Sequence, residues 1–223
     1  MDTRDSIIIP GKIVSGEIVL RDKLTHIKAL LFDWDGIFNS GEKGHIPSSF
    51  NEVDSMGINM LRFGYYLLHG ENPATGIVTG ERNETAIKWA EREHFHAVYL
   101  KVKHKADILE SFELEYGIQP HEILFVFDDI HDLSLAKEAG CSFLVRNSGA
   151  KMFERYCMEN KLCDYITSNS GGNNALREIC EVVLGMLGLF TRTVEERMAF
   201  SGTYNDYLQI RNLSKTNIQE LKY

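Results

Sequence analysis

The chain has 223 residues, of which 43% are hydrophobic and 25% charged, enough for a folded core and unlike a disordered protein. Its formal net charge is -8 and no dense Lys/Arg stripe appears, so nucleic acid is not expected as the main partner. The start resembles no secretory signal, and the longest apolar run, residues 182–190, is too short to span a membrane. Four cysteines without a C-x-x-C pair favour buried free thiols, and we expect a cytoplasmic protein.

Apolar runs of β type alternate with segments of helical period, which predicts an α/β fold with a parallel sheet and helices on both faces. The predicted strands are residues 27–32, 75–78, 97–100, 123–127 and 142–145. The predicted helices lie near residues 57–68, 83–93, 105–116 and 133–139, with 173–189 after the last strand. These elements define a predicted core domain of residues 26–190.

Two extensions flank this predicted core. Residues 1–25 contain an alternating apolar segment, which predicts a hairpin or an added edge strand. Residues 191–223 are predicted to be helical and amphipathic, with candidate contacts at Phe200, Tyr204, Tyr207, Leu208, Ile210 and Leu213.

Two acids, Asp33 and Asp35, follow directly on the first predicted core strand. Side chains alternate along a strand, so both should point to the same side beyond the carboxyl edge, where open α/β folds bind ligands. Such a pair can share Mg²⁺, and Gly36 allows the backbone to turn sharply. Taken alone, the pattern also fits an ordinary strand-ending turn.

Polar residues also follow the later predicted strands. The Thr79-Gly80-Glu81 segment offers a hydroxyl and backbone N–H groups for an anion, although Thr79 could simply cap the next helix. Lys105 offers a cation for a phosphate, although most lysines are only solvated. Three carboxylates at the end of the fourth strand would be costly without a cation, namely Asp128, Asp129 and Asp132.

The ordered segments DWDGIF (33–38), IVTGE (77–81), Lys105 and FDDIHD (127–132) resemble the four motifs of the haloacid dehalogenase superfamily of Mg²⁺-dependent phosphohydrolases. The segment FNEVDSMGINML (50–61) is similar to the capless branch typified by 3-deoxy-manno-octulosonate 8-phosphate phosphatase. This resemblance implies a Rossmann-like sheet without a separate cap domain. It also implies a homo-oligomer, usually a tetramer, in which a hairpin within residues 38–50 and a neighbouring subunit close the site.

The resemblance implies hydrolysis of a small phosphorylated sugar or sugar acid. Asp33 would be the nucleophile that forms an aspartyl phosphate, and Asp35 the general acid and base. Mg²⁺ would be bound by Asp33, the backbone carbonyl of Asp35, and Asp128. The phosphoryl group or the rest of the substrate would be bound by Thr79, Gly80, Glu81 and Lys105. Asp132 would orient Lys105 or a water molecule, and Asp129 would support the site from outside the group of residues that contact the metal or substrate.

Four positions depart from the pattern of the octulosonate phosphatases. Phe127 replaces a glycine and is expected to narrow the site or shift its loop. Glu81 replaces an arginine, reversing a charge near an anionic substrate, and Asn39-Ser40 replaces Thr-Asp. Two other functions stay open: a phosphorylated receiver domain, whose motif order fits poorly, and a binding or scaffold protein that has lost turnover.

Overall fold

Eight strands form one sheet in the computed structural model, which describes residues 7–44 and 49–223. In chain order they are β1 (Lys12–Ile13), β2 (Ala29–Phe32), β3 (Ala74–Val78), β4 (Ala97–Leu100), β5 (Ile123–Phe127), β6 (Cys141–Leu144), β7 (Tyr165–Ile166) and β8 (Asn217–Glu220). Their order across the sheet is β1-β7-β6-β5-β2-β3-β4-β8. Every neighbouring pair is parallel except β1 with β7. The predicted α/β fold is confirmed.

The helices are α1 (Glu17–Thr25), α2 (Glu52–His69), α3 (Glu84–Arg92), α4 (Leu109–Tyr116), α5 (Leu133–Glu138), α6 (Lys151–Glu159), α7 (Ala175–Met186), α8 (Phe190–Met198) and α9 (Gly202–Leu213). They cover both faces of the sheet, so alternate residues of a central strand enter two different cores. In β2, Leu30 and Phe32 face one core and Ala29 and Leu31 the other. A strand buried on both faces is therefore apolar throughout.

The N-terminal hairpin prediction is wrong over residues 17–25, which form α1. Leu20 and Leu24 lie four residues apart and are buried on one face of this helix, whereas Ile18 is exposed. The alternative prediction of an added edge is correct for β1, which pairs with β7 at the end of the sheet. The elements β7 and α6 were not predicted.

The C-terminal residues include an unpredicted strand as well as the expected helices. Strand β8 extends the sheet beside β4, where the N–H of Leu221 donates to the carbonyl of Leu100 at 3.1 Å. Of the predicted contacts, Tyr204 and Tyr207 are buried against Phe63, whereas Phe200, Ile210 and Leu213 are exposed. The helical prediction was therefore right for α8 and α9 and wrong for residues 217–220.

No helix in the described ranges is both long and apolar enough to cross a membrane. All four cysteines are buried free thiols, as predicted. The described residues contain no separate cap domain. The four strands β5, β2, β3 and β4 are neighbours and parallel, so their carboxyl ends meet along one edge of the sheet.

Candidate active site

The polar residues that follow these strands line a common cavity of about 380 Å³. Its lining includes every residue that the sequence indicated for catalysis, metal binding or substrate binding: Asp33, Asp35, Thr79, Gly80, Glu81, Lys105, Asp128, Asp129 and Asp132. Gly36, Gly41, Lys43 and His131 complete it. Residues separated by up to a hundred positions in the chain thus meet at one edge of the sheet.

The first acidic loop has the alternation that the sequence predicted. Trp34 is fully buried and stacks on Phe38 with ring centroids 4.5 Å apart, while Asp33 and Asp35 both line the cavity. Gly36 has a φ of 82°, and a Cβ there would lie 2.0 Å from the Asp128 carboxylate. Glycine is therefore needed both for the turn and for the close approach of Asp128.

Lys105 connects the first acidic loop to the last. Its side chain is 1% exposed, and Nζ lies 2.5 Å from both Asp33 Oδ1 and Asp132 Oδ1. Burial alone would lower the pKa of Lys105, but the charges of Asp33 and Asp132 outweigh it and raise that pKa. The ammonium group is therefore charged and fixed beside Asp33.

Asp132 also shapes the loop that carries Asp128. Its Oδ2 accepts hydrogen bonds from the backbone N–H groups of Asp128 at 3.2 Å and Asp129 at 3.1 Å. The Asp129 side chain turns to the surface and accepts from the N–H of Ile130 at 2.7 Å. Asp132 therefore organises both Lys105 and the acidic loop, whereas Asp129 caps the short turn that follows.

The expectation that Phe127 narrows the cavity is wrong. Its side chain is fully buried in the core, stacked against Phe125 with centroids 6.0 Å apart. Asp128, the next residue, points to the cavity instead. Successive side chains of a strand face opposite sides, so the bulk at position 127 does not enter the site.

The carboxylates of Asp33, Asp128 and Asp132 can each place one oxygen within 4.8 Å of the others. Burial is the largest cause that raises the pKa of Asp33, outweighing the opposing effect of Lys105. Burial also raises the pKa of Asp128, and the charges of Asp33 and Asp132 raise it further. One ammonium does not neutralise this group of acids, and hard oxygen ligands of this kind suit a divalent cation.

Thr79 follows β3 and is buried beside the cavity. Its backbone N–H donates to the carbonyl of Tyr99 at 2.9 Å, and its own carbonyl accepts from Val102 at 3.0 Å. Helix α3 is capped by Asn83, whose Oδ1 accepts from the N–H of Thr85 at 3.1 Å. Thr79 is therefore not the cap of this helix; it lines the cavity, and its hydroxyl oxygen accepts a hydrogen bond from the N–H of Glu81 at 3.5 Å.

Asp35 contacts a lysine that the sequence did not single out. Lys43 Nζ lies 3.0 Å from Asp35 Oδ2 and 2.8 Å from Glu81 Oε2, so it joins two acids that line the cavity. The other oxygen, Asp35 Oδ1, is buried without a hydrogen-bond partner among the described residues. Burial lowers the pKa of Lys43, but hydrogen bonds to Glu81 and Asp35 raise it overall, so its ammonium is charged.

The chain is similar to proteins of one enzyme class. It is 23% identical over 167 residues to the 3-deoxy-D-manno-octulosonate 8-phosphate phosphatase KdsC of Salmonella typhi, covering 73% of this chain and 81% of that protein. The KdsC protein of Escherichia coli K12 is also 23% identical, over 176 residues, with 77% and 85% covered. No protein-family model matches the chain.

Solved structures extend the comparison to the fold. A putative HAD superfamily hydrolase from Legionella pneumophila superimposes with a TM-score of 0.68 at 23% identity, covering 82% of this chain and 96% of that one. The 3-deoxy-D-manno-octulosonate 8-phosphate phosphatase from Moraxella catarrhalis, in complex with magnesium, phosphate and KDO, gives 0.65 at 25% identity, covering 82% and 98%. The fold is that of the haloacid dehalogenase superfamily. The predicted enzyme class, a HAD-type phosphatase, is confirmed.

Two features of the site could not be read from the motifs: the packing of the Gly171-Gly172 pair on the first acidic loop, and the contact of Lys43 with Asp35 and Glu81. Gly171, after β7, packs so closely on the first acidic loop that a Cβ would lie 1.8 Å from the Gly36 carbonyl oxygen. Gly172 donates its N–H to the Ile37 carbonyl at 3.2 Å. The Gly-Gly pair was visible in the sequence, but nothing local linked it to Gly36, and nothing distinguished Lys43 from other lysines.

Proposed function

We propose that this chain is a Mg²⁺-dependent phosphomonoesterase that hydrolyses a small phosphorylated sugar through an aspartyl-phosphate intermediate. The observation that carries the proposal is the buried Lys105, held between Asp33 and Asp132 at the edge of a cavity that Thr79 and Asp128 also line. The similarity to octulosonate 8-phosphate phosphatases supports a sugar phosphate as the substrate.

Asp33 is the proposed nucleophile. An oxygen of its carboxylate forms a bond to phosphorus while the bond from phosphorus to the ester oxygen breaks. Lys105 fixes the Asp33 carboxylate by the 2.5 Å contact to Oδ1 and supplies positive charge beside the transferring phosphoryl group. The Thr79 hydroxyl and the Gly80 N–H are the proposed donors to the phosphoryl oxygens.

Asp35 is the proposed general acid and base. It gives a proton to the departing sugar oxygen and later accepts one from the water that attacks the aspartyl phosphate, releasing inorganic phosphate and restoring Asp33. The location of Asp35 supports this role, since its carboxylate lines the same cavity and its buried Oδ1 makes no hydrogen bond within the described residues.

The residues that would hold Mg²⁺ are Asp33, the backbone carbonyl of Asp35, and Asp128. The raised pKa values of Asp33 and Asp128 fit this proposal, because burial is the largest cause of both shifts and a bound cation would stabilise the charged form of both buried carboxylates. The bound cation would offset negative charge on the phosphoryl group. Asp132 belongs to the same oxygen cluster, and its bonds to Lys105 and the loop support a positioning role.

Hydrolysis of p-nitrophenyl phosphate tests this proposal directly. The purified protein should release p-nitrophenol with Mg²⁺, and EDTA should remove at least about nine-tenths of that activity because the acidic site depends on a cation. A panel of sugar phosphates, assayed by phosphate release, should then identify better substrates. Absence of turnover with either Mg²⁺ or Co²⁺ would instead support a binding or scaffold protein, and stable labelling without turnover would support a receiver domain.

We propose further that the protein is a cytoplasmic homo-oligomer, most simply a tetramer. The cavity has no cap domain in the described part of the chain, so a second subunit could supply the missing walls. The proposed hairpin is not supported, because residues 38–44 and 49–50 contain no strand; Pro47 lies outside the described residues.

Light scattering at micromolar concentration should give about four times the 25.4 kDa chain mass. A fully active monomer would contradict this expectation.

A further inference from the structure

The cavity carries a large excess of negative charge. Its lining includes two ammonium groups, on Lys43 and Lys105, and five carboxylates, on Asp33, Asp35, Glu81, Asp128 and Asp132, whereas the Asp129 side chain turns to the surface. One divalent cation would still leave the carboxylates in excess. The phosphate of a substrate would bind beside that cation, and its leaving group would extend toward the mouth of the cavity. The electrostatic environment of the leaving group therefore depends on the outer residues of the cavity.

Both ammonium groups already contact carboxylates. Lys105 is held between Asp33 and Asp132, and Lys43 between Asp35 and Glu81. Lys43 and Glu81 lie at the open side of the cavity, since their side chains are 52% and 68% exposed. A carboxylate on the leaving group would have to compete with Glu81 for Lys43 and would also approach Glu81 itself.

Three cations outside the lining also contact acids. Lys101 and Arg82 both contact Glu220, at 2.5 Å and 3.0 Å. Arg146 lines an adjoining cavity of about 200 Å³, but its guanidinium contacts Glu154 at 3.3 Å. These contacts pair Lys101, Arg82 and Arg146 with acids of the same chain.

Resting on the proposed phosphatase function, we propose that Glu81, joined to Lys43 across the cavity mouth, selects phosphomonoesters whose leaving group is neutral or cationic and disfavours those that carry a carboxylate. Glu81 is then a specificity-determining residue. The contribution is electrostatic, because like charges a few ångströms apart repel and opposite charges attract.

The test uses three phenyl phosphates that differ in charge away from the phosphate: 4-(carboxymethyl)-, 4-(hydroxymethyl)- and 4-(aminomethyl)phenyl phosphate. We expect kcat/KM for the carboxymethyl ester to be roughly three- to tenfold below that for the hydroxymethyl ester, the range expected for one like charge near a protein surface. The aminomethyl ester should be at least as good as the hydroxymethyl ester. Added salt should reduce these differences.

Two substitutions should change the ratio of kcat/KM for the carboxymethyl ester to kcat/KM for the hydroxymethyl ester, and they should do so in opposite directions. Glu81→Gln should bring kcat/KM for the carboxymethyl ester closer to that for the hydroxymethyl ester, because the substitution removes negative charge from the cavity mouth and frees Lys43. Lys43→Gln should widen the difference, because it leaves Glu81 without its partner. Glu84→Gln is the matched control: it removes the same charge from an exposed side chain three residues away that contacts Arg82 and lies outside the cavity lining.

Equal or faster hydrolysis of the carboxymethyl ester by the wild-type protein would overturn the inference. The inference would also be overturned if the ratio of kcat/KM for the carboxymethyl ester to that for the hydroxymethyl ester were the same in Glu81→Gln as in the wild type and in Glu84→Gln. Failure of the phosphatase proposal is distinguishable, because then none of the three esters would be hydrolysed. The oligomer present in solution is used throughout, so any cation from a neighbouring subunit is included in the result.

Discussion

Asp33→Asn should abolish phosphatase activity while the protein stays folded. An amide cannot form the proposed acyl phosphate, so we expect kcat with p-nitrophenyl phosphate to fall by roughly 10⁴-fold or more. The side chain keeps its size, and Lys105 keeps its 2.5 Å contact with Asp132, so the fold should be preserved. Steady-state kinetics measure the loss, and circular dichroism with thermal unfolding measures the fold.

Asp206→Asn is a suitable control for this experiment. It makes the same chemical change on an exposed residue of α9, outside the cavity lining, and should keep wild-type kinetics. Substantial steady-state activity in pure Asp33→Asn would contradict the nucleophile assignment. If Asp33→Asn does not fold, the loss of activity would show only that Asp33 is needed for the fold as a partner of Lys105. Single-turnover phosphate labelling of the wild-type protein would then decide whether Asp33 forms the covalent intermediate.

Asp128→Ala should weaken Mg²⁺ activation far more than Asp129→Ala. The Asp128 carboxylate faces the cavity beside Gly36 and Asp33, whereas Asp129 accepts a hydrogen bond from the N–H of Ile130 at the surface. We expect the Mg²⁺ concentration for half-maximal activity to rise roughly 10- to 100-fold for Asp128→Ala and only a few-fold for Asp129→Ala. Activity is measured against Mg²⁺ concentration for both proteins.

The two acids are each other's control, because they are adjacent, identical in type and on the same loop. Thermal unfolding with and without Mg²⁺ separates loss of the cation from loss of the loop. Stabilisation by Mg²⁺ should be smaller in Asp128→Ala than in the wild type and largely preserved in Asp129→Ala. A larger shift of Mg²⁺ activation in Asp129→Ala would show that the proposed ligand assignment within residues 127–132 is wrong.

The sequence alone determined the central strands and the residues that follow them. Residues 97–100 and 123–127 form strands with the predicted bounds, because their apolar side chains are buried on both faces of the sheet. The alternation along residues 33–35 sent Trp34 to the core and both acids to the cavity. Parallel strands end at one edge, so the approach of Thr79, Lys105 and Asp128 was also predictable.

Only the tertiary structure decided the interactions between distant segments. Strand β8 has mostly exposed side chains and is held by backbone bonds to β4, so no apolar pattern could predict it. The Lys43–Glu81 contact joins residues 38 positions apart, and the placement of Gly171 depends on the path of the Gly36 loop. Local side-chain periodicity defines which way a residue points, whereas the partner it meets depends on how the whole chain packs.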